Sequence, residues 1–333
     1  MAWRILLGNA GQFSCPAQQS ILEAGLQARF SFPHACRNGT CLRCEGRLVR
    51  GSVRLSRKNR TVGAGEPAAE RVLYCLAQPL SDCEIDVPQV TPATRLPGKE
   101  MAAQIISLEP LSHDVSRVIL QLPAGKAVHW YAGQYLELLV PAGPSAFSIA
   151  NAPDGRDLEL HVRHSADNPA SLEIIELLKS ESLVRVRLPG GERFIDPQAL
   201  PQQPVWFICG STGFAPAKAM IESLLAAGFD QPIHLYWGAR TEQDLYLNEL
   251  PRQWADAGLV NYVPVLSEQT LPDMRSGLVH EAALADLENP RQPLIHVGGS
   301  PAMAWAVFDA LITAGVPAEQ IHSDVFDYAP REV

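Results

Sequence analysis

Apolar and polar residues change their spacing three times along the chain, and each change predicts a different kind of unit. Residues 3–8 and 47–55 read as strands, residues 20–27 as a short helix, and CEIDVP at 83–88 as a closing strand. From Thr91 to Lys99 the run TPATRLPGK carries two prolines and a glycine and no period, which predicts a linker. Residues 100–195 hold short apolar runs (SRVILQL, QYLELLV, DLELHV and SLVRVRL) cut by Pro, Gly and Asp turns, the spacing of a small antiparallel barrel. From Val205 the pattern becomes a strand (VWFIC), a glycine turn and a helix from about Ala217. Strands PIHLYWG, VNYVPVL and PLIHVGG follow, with helical stretches between them. That alternation predicts a parallel α/β sheet. The expected domains are residues 1–90, a linker at 91–99, a barrel at 100–198 and an α/β domain at 199–333.

With 333 residues, 47% of them hydrophobic, the chain can bury more than one core. No apolar run approaches the roughly 18 residues of a membrane span, and MAWRILLGNAG is interrupted at Gly8, too short for a secretory segment. These features speak against a membrane channel, a fibre, a disordered chain and a secreted disulfide scaffold; a cytoplasmic protein is expected. The net charge of -9 is unevenly divided. Residues 1–99 carry 13 Lys and Arg against 7 Asp and Glu, or +6, so the rest carries 14 against 29, or -15. A uniformly basic chain would suggest nucleic acid, whereas here a basic head precedes an acidic body. Such a head is either a solvated face or a docking surface, for the body or for an acidic partner.

Cysteine usage changes the picture most. Four of the seven cysteines fall as Cys36, Cys41, Cys44 and the distant Cys75. Clustered thiols in a reducing compartment more often bind metal or do redox work than form disulfides. A C-x4-C-x2-C followed by a distant fourth Cys is the plant-type ferredoxin spacing for a [2Fe–2S] cluster, with these four as ligands. Three thiolates must converge on one small cluster from a tight loop, in which Gly39 lets the backbone turn. Backbone N–H groups of such a loop can then point at the sulfurs. Structural zinc usually pairs two C-x2-C knuckles, and here the fourth thiol stands alone. Cys15, Cys83 and Cys209 lack such companions and read as buried small apolar residues.

In this order the units resemble, over essentially the whole chain, the reductase components of bacterial multicomponent oxygenases. Those proteins fuse a plant-type ferredoxin (α+β, β-grasp) to a ferredoxin–NADP reductase-like flavin barrel and nicotinamide domain. The CDP-6-deoxy-glucoseen reductases share the layout, and GQYLEL, FSIANAP and YWGARTEQDLY are similar to segments of NAD(P)H:flavin reductases. The resemblance implies FAD, with FMN as the alternative flavin, and NADH, with NADPH as the alternative donor. The family's flavin motif R-x-[YF]-[ST] aligns with Ser145-Ala146-Phe147-Ser148. It implies that Phe147 packs on the isoalloxazine, that Ser148 hydrogen-bonds near its N5, and that Ile149 adjoins them. Ser145 stands where the motif has an arginine, whose bidentate hold on pyrophosphate a hydroxyl cannot reproduce. Arg163, in HVRH, is expected to supply that charge. A second element, G-x-x-[ST], aligns with residues 168–171, placing Ala170 and Ser171 at a helix start where free N–H groups favour phosphate. Taken alone, Ser171 reads as an ordinary helix N-cap.

Gly210-Ser211-Thr212-Gly213-Phe214-Ala215-Pro216 matches the family's G-x-T-G-x-[AG]-P, a strand-to-helix turn that lets pyrophosphate approach backbone N–H groups. The run from Val297 to Met303 matches V-C-G-x-P-x-M, keeping Gly299 and Met303 and replacing the cysteine beside the nicotinamide by Gly298. Arg240 lies where the family reads the adenosine ribose, and the acids that follow, Glu242 and Asp244, favour NADH over NADPH. Asp324-Val325-Phe326 matches the acidic-x-aromatic tail, so Ser148, Asp324 and Phe326 are the expected catalytic residues, Phe326 covering the flavin. Taken alone, Phe326 also reads as a core residue near a chain end. No G-x-S-x-G elbow anchors hydrolase chemistry. His161 and His164 point to opposite faces of a strand and read as structural or solvent-facing.

The implied activity is that of an NADH-dependent oxidoreductase. Hydride carries two electrons and a [2Fe–2S] cluster takes one, so a flavin is needed between them. The expected acceptor is a separate protein, an oxygenase component, with no nucleic acid and no membrane span involved. Three alternatives stay open on sequence: release of diffusible reduced flavin, service to a deoxysugar dehydratase, and a non-catalytic redox carrier or sensor.

Overall fold

Alternate apolar residues leave each of the first strands one face to bury. The computed structural model describes residues 2–8, 11–28, 30–32, 42, 44–56, 59–87, 91–92, 98–125, 128–196, 200–329 and 331. The chain forms two compact units, Met1–Leu96 and Pro97–Val333.

In the first unit the elements are β1 (Ala2–Leu6), β2 (Gln12–Pro16), α1 (Ile21–Gln27), β3 (Phe30–Ser31), β4 (Glu45–Arg50), β5 (Ser52–Leu55), β6 (Arg60–Gly63), β7 (Val72–Leu73), β8 (Ala77–Pro79), β9 (Cys83–Asp86) and β10 (Thr91–Pro92). The main sheet runs β2-β1-β9-β4-β7 and a smaller one β6-β5-β8. Within the main sheet β1 and β9 are parallel and the other pairs antiparallel. Ser20 caps α1 by accepting from Glu23 N–H, and the helix delivers Ile21, Leu22 and Ala24 to the core that holds Ile5, Leu48 and Ile85. This is the ferredoxin-like β-grasp. The strand expected over 47–55 is two strands, β4 and β5, divided at Gly51. The segment expected as linker is partly ordered by pairing: Thr91-Pro92 ladders with β3 and Lys99 opens the next sheet.

The second unit begins with β11 (Lys99–Pro110), β12 (Val115–Gln121), β13 (Tyr135–Val140), β14 (Gly143–Ser148), β15 (Asp157–Arg163), α2 (Pro169–Ser180) and β16 (Leu183–Gly190). The six strands are antiparallel in the order β14-β13-β16-β11-β12-β15. Ile149, just past β14, bridges to Leu160 of β15, so the outer strands of this order meet and the sheet closes as a barrel. All four apolar runs expected as barrel strands are strands.

An α/β half follows: β17 (Val205–Gly210), α3 (Phe214–Ala226), β18 (Ile233–Ala239), α4 (Glu249–Asp256), β19 (Asn261–Leu266), β20 (Arg275–Ser276), α5 (Val279–Ala285), β21 (Leu294–Gly298), α6 (Pro301–Thr313), β22 (Ile321–His322) and α7 (Val325–Tyr328). Its sheet is parallel, in the order β20-β19-β18-β17-β21-β22. The order reverses beside β17, the switch point where an open α/β sheet makes its ligand crevice. Helix α3 starts at Phe214, earlier than the expected Ala217, because the short 3-10 turn Ser211–Gly213 runs straight into it. Val115, Ala132 and Ile195 of the barrel share a core with Phe207, Phe214 and Trp237, so the two halves of this unit are packed together. Among the described residues no helix is long and apolar enough to cross a membrane.

Candidate functional site

Pairing of β4 with β7 brings half of the thiol set together. Glu45 lies opposite Leu73, and Tyr74 N–H donates to the Cys44 carbonyl at 3.1 Å. Cys44 and Cys75, on either side of this ladder, are 2% and 9% exposed. Leu42 takes a left-handed backbone (φ 59°), a sharp bend immediately before the Arg43-Cys44 step. Cys36 and Cys41 lie outside the described residues. Two buried thiols fixed by a backbone ladder suit a metal–sulfur cluster. Burial raises the thiol pKa of the three remaining cysteines, Cys15, Cys83 and Cys209, that of Cys15 to about 12. Thiols so protonated are poor ligands.

The flavin motif forms the inner end of β14. Ser148 pairs with Tyr135, and Phe147 is half-buried against the barrel core. Tyr135 also pairs with Gly190, where a Cβ would come within 2.3 Å of its ring, so only a glycine lets the tyrosine lie against that backbone. One residue further, a Cβ on Gly191 would stand 3.5 Å from Asp324 Oδ1. Ser148, Tyr135 and Asp324 therefore adjoin one place. Tyr135 and the Gly190-Gly191 pair escaped the sequence reading; a double glycine directly after a strand was the signal available. Asp324 Oδ1 is buried with no hydrogen-bond partner among the described residues. Burial first, and Asp327 second, push its carboxyl up to about 7, with Arg193 opposing.

Arg163 is held by Asp114, Nε to Oδ2 at 2.7 Å, and stays half-exposed. Burial works against the Asp114 charge, but the Arg163 hydrogen bond keeps that carboxyl below its usual range. Ser171 is not the cap of α2. Asn168 is: its side chain accepts from Ser171 N–H at 3.4 Å, and Pro169 takes the first helical position. Ser171 Oγ donates to the Asn168 carbonyl at 2.6 Å and accepts from Ser165 N–H, while Ala170 is exposed in the first turn. Phe326 sits on α7 with its ring 4.5 Å from Trp305 and 5.2 Å from Phe308, both on α6.

The nicotinamide motifs converge. Trp237 Nε1–H donates to the Ser211 carbonyl at 3.1 Å and its ring stacks on Phe214 at 4.0 Å, fixing the turn that holds Thr212 and leads into α3, with Pro216 in the helix's first turn. Gly213 and Gly298 touch: a Cβ on Gly213 would lie 2.3 Å from the Gly298 carbonyl, and one on Gly298 would lie 2.7 Å from the Gly213 oxygen. The sulfur of Met303 fills the space above Gly210 and Gly299. Four glycines and one methionine thus make a cradle of bare backbone, which fits a pyrophosphate and the start of a nicotinamide ring. Arg240 follows β18, half-exposed, 3.9 Å from Asp244, whose carboxylate accepts from Thr241 N–H and Oγ1–H. In Gly213→Ala the new methyl meets backbone, which cannot swing away. The expected result is a loss of about 1–3 kcal/mol of stability and roughly tenfold weaker NADH binding, read by thermal unfolding and NADH titration.

Comparison with known proteins agrees with this geometry. The 2Fe-2S iron-sulfur cluster binding domain matches residues 5–80 and the oxidoreductase NAD-binding domain residues 207–309. The CDP-6-deoxy-L-threo-D-glycero-4-hexulose-3-dehydrase reductase of Yersinia pestis is 31% identical over 317 residues, 94% of this chain and 95% of that protein. Terephthalate 1,2-dioxygenase reductase component 2 of a Comamonas species is 32% identical over 96% of this chain and 95% of its own length. The chain belongs to this family of iron–sulfur flavin reductases. A solved Amycolatopsis cytochrome P450 reductase superposes with a TM-score of 0.65 at 28% identity, covering 96% of this chain and 98% of that one. The reductase is accordingly an NAD(P)H-dependent oxidoreductase with a [2Fe–2S] cluster and FAD, and it delivers electrons to a separate protein.

Proposed function

We propose that this reductase serves an oxygenase component, with NADH as its electron donor. The observation that carries the reading is the coexistence, in one chain, of the Cys44–Cys75 ladder and the Gly213–Gly298 cradle, with Asp324 beside the flavin strand. Bound flavin would take the hydride pair and release single electrons to the cluster. Around it the chain's own residues have distinct tasks. Phe147 and Ser148 present ring and hydroxyl from β14, and Asp324 holds a proton next to Gly191. The Gly210–Gly213 turn offers backbone N–H groups to the dinucleotide, and the acids Glu242 and Asp244 after Arg240 disfavour a 2′-phosphate. Cys36, Cys41, Cys44 and Cys75 would hold the cluster, and a reducing cytoplasm keeps such thiols available.

Arg163 would take over the pyrophosphate charge that Ser145 lacks. Ile149, just past the motif, bridges to Leu160 of the strand that ends at Arg163, and Asp114 occupies the Arg163 Nε while the guanidinium stays half-exposed. Arg163→Ala is expected to weaken FAD binding about tenfold, since a charged hydrogen bond contributes about 1.5–3 kcal/mol; a flavin titration showing wild-type affinity would remove Arg163 from the site. The Yersinia relative favours a deoxysugar dehydrase as the second acceptor class. The deciding experiment is the iron, sulfide and flavin content of the purified protein, with its visible spectrum before and after anaerobic NADH. Two irons and one flavin per chain, both bleached by NADH, are expected. Irons without flavin would favour release of diffusible reduced flavin, and centres that NADH cannot bleach would mean a carrier or sensor.

A further inference from the structure

One turn into α3 from the pyrophosphate turn, a lysine is buried between apolar neighbours. Lys218 is 7% exposed, flanked by Ala217, Ala219 and Met220. Its Nζ donates to the Ala150 carbonyl at 3.0 Å and to Glu159 Oε2 at 3.2 Å, and it forms an ion pair with Glu222 Oε1 at 2.9 Å. The buried ammonium thus faces a carbonyl and two carboxylates, with two hydrogen bonds and one further ion pair to offset its burial. Glu222 also accepts from Ala152 N–H at 3.4 Å. Glu159 continues the network to His161 Nε2 at 2.9 Å, and His161 Nδ1 meets the Tyr246 hydroxyl at 2.9 Å. Burial works against the Glu159 charge, but the hydrogen bond to His161 and the Lys218 ammonium keep its carboxyl below the usual range. Burial lowers the His161 pKa, so its ring is neutral, donating from Nε2 to Glu159 and accepting at Nδ1 from Tyr246.

The partners come from both halves of the second unit. Lys218, Glu222 and Tyr246 belong to the α/β half; Ala150, Ala152, Glu159 and His161 belong to the barrel. Ala150 is two residues past Ser148, and Lys218 is five residues past Gly213. We propose that Lys218 is a positioning residue that fixes the exit of the flavin strand against the helix whose first turn holds the dinucleotide, and so sets the approach of nicotinamide to flavin. The apolar contacts of Val115, Ala132 and Ile195 are non-directional and would tolerate sliding; two hydrogen bonds and an ion pair from one ammonium would not. Misplacement by about 1 Å between reacting groups can cost about 100-fold in rate.

The inference rests on the electron-transfer reading, and the test separates the two. Lys218→Met keeps the length of the side chain and removes its charge. By calorimetry of the flavin-free full chain, the unfolding transition shared by barrel and α/β half in the wild type is expected to split into two. In the flavin-loaded variant, the rate of flavin reduction at saturating NADH is expected to fall about tenfold or more. NADH affinity should change less than about threefold, and the NADH–flavin charge-transfer absorbance should be lost. Glu222→Gln, which leaves the lysine in place, should shift the same readouts less, and it decides the matter if Lys218→Met does not fold. An unsplit transition together with a wild-type rate of flavin reduction would overturn the proposal. Failure of NADH to reduce wild-type flavin would overturn the electron-transfer reading instead, and calorimetry would then decide the role of Lys218 alone.

Discussion

Cys75→Ala is expected to strip the cluster from the protein while leaving its flavin chemistry intact. Cys75 follows β7, and Cys44, the other described member of the thiol set, lies across the ladder, tied by backbone through Tyr74 N–H. Removing the side chain leaves that backbone bond in place, and the core around Ile5, Leu48 and Tyr74 stays filled. Three thiolates cannot complete the coordination of two irons. Iron content should fall below about a tenth of the wild-type value, and NADH-driven reduction of a one-electron acceptor by on the order of 100-fold. Anaerobic reduction of flavin by NADH should stay within about twofold, because hydride transfer does not pass through the cluster. Cys83→Ala is the matched control: another buried thiol of the same unit, whose pKa burial raises, held to the Ser81 and Ser52 carbonyls. Iron retained in Cys75→Ala, or lost in Cys83→Ala, would move the site to other thiols.

What the sequence made legible was local. The cysteine spacing and the G-x-T-G turn are set by a few consecutive residues, and the barrel strands announce themselves by alternation. Contacts between distant segments were not legible. Nothing near Gly298 says that Gly213 lies against it, yet a Cβ on either would meet the other's carbonyl. Ser171 looked like a cap because a serine opened an apolar run, but Asn168 and Pro169 had already begun the helix. The surroundings of Phe326 depended on Trp305 and Phe308, whose helical spacing carries no mark of a partner. Lys218 had a signal that was passed over, a lone charge in the apolar run FAPAKAMI. A lysine placed where solvent is absent must find partners, and the fold supplies a carbonyl and two carboxylates.

Asp324→Asn is expected to stabilise the reductase at neutral pH and to flatten the pH dependence of its stability. In the folded chain the Asp324 carboxyl keeps its proton up to about pH 7, with burial the main cause; unfolded, it loses that proton near the ordinary 3.8. Between these values the folded state binds more protons than the unfolded one, so the contribution of Asp324 to stability falls as pH rises through the window. At about 1.4 kcal/mol per pH unit over roughly three units, the loss reaches about 4 kcal/mol above pH 7. Asparagine has no proton to lose. Urea unfolding of the flavin-free chain at pH 4.5, where about 1 kcal/mol is already lost, and at pH 8 should therefore show the variant gaining on the wild type by about 3 kcal/mol at the higher pH. Parallel behaviour at both values would mean that the carboxyl is ionised throughout. A group that costs the fold this much, next to Tyr135 and Gly191 and with Oδ1 lacking a partner among the described residues, fits the proposed role of holding and moving a proton near neutrality. The wild-type rate of flavin reduction by NADH should then change with pH around 7, and the variant's rate should not.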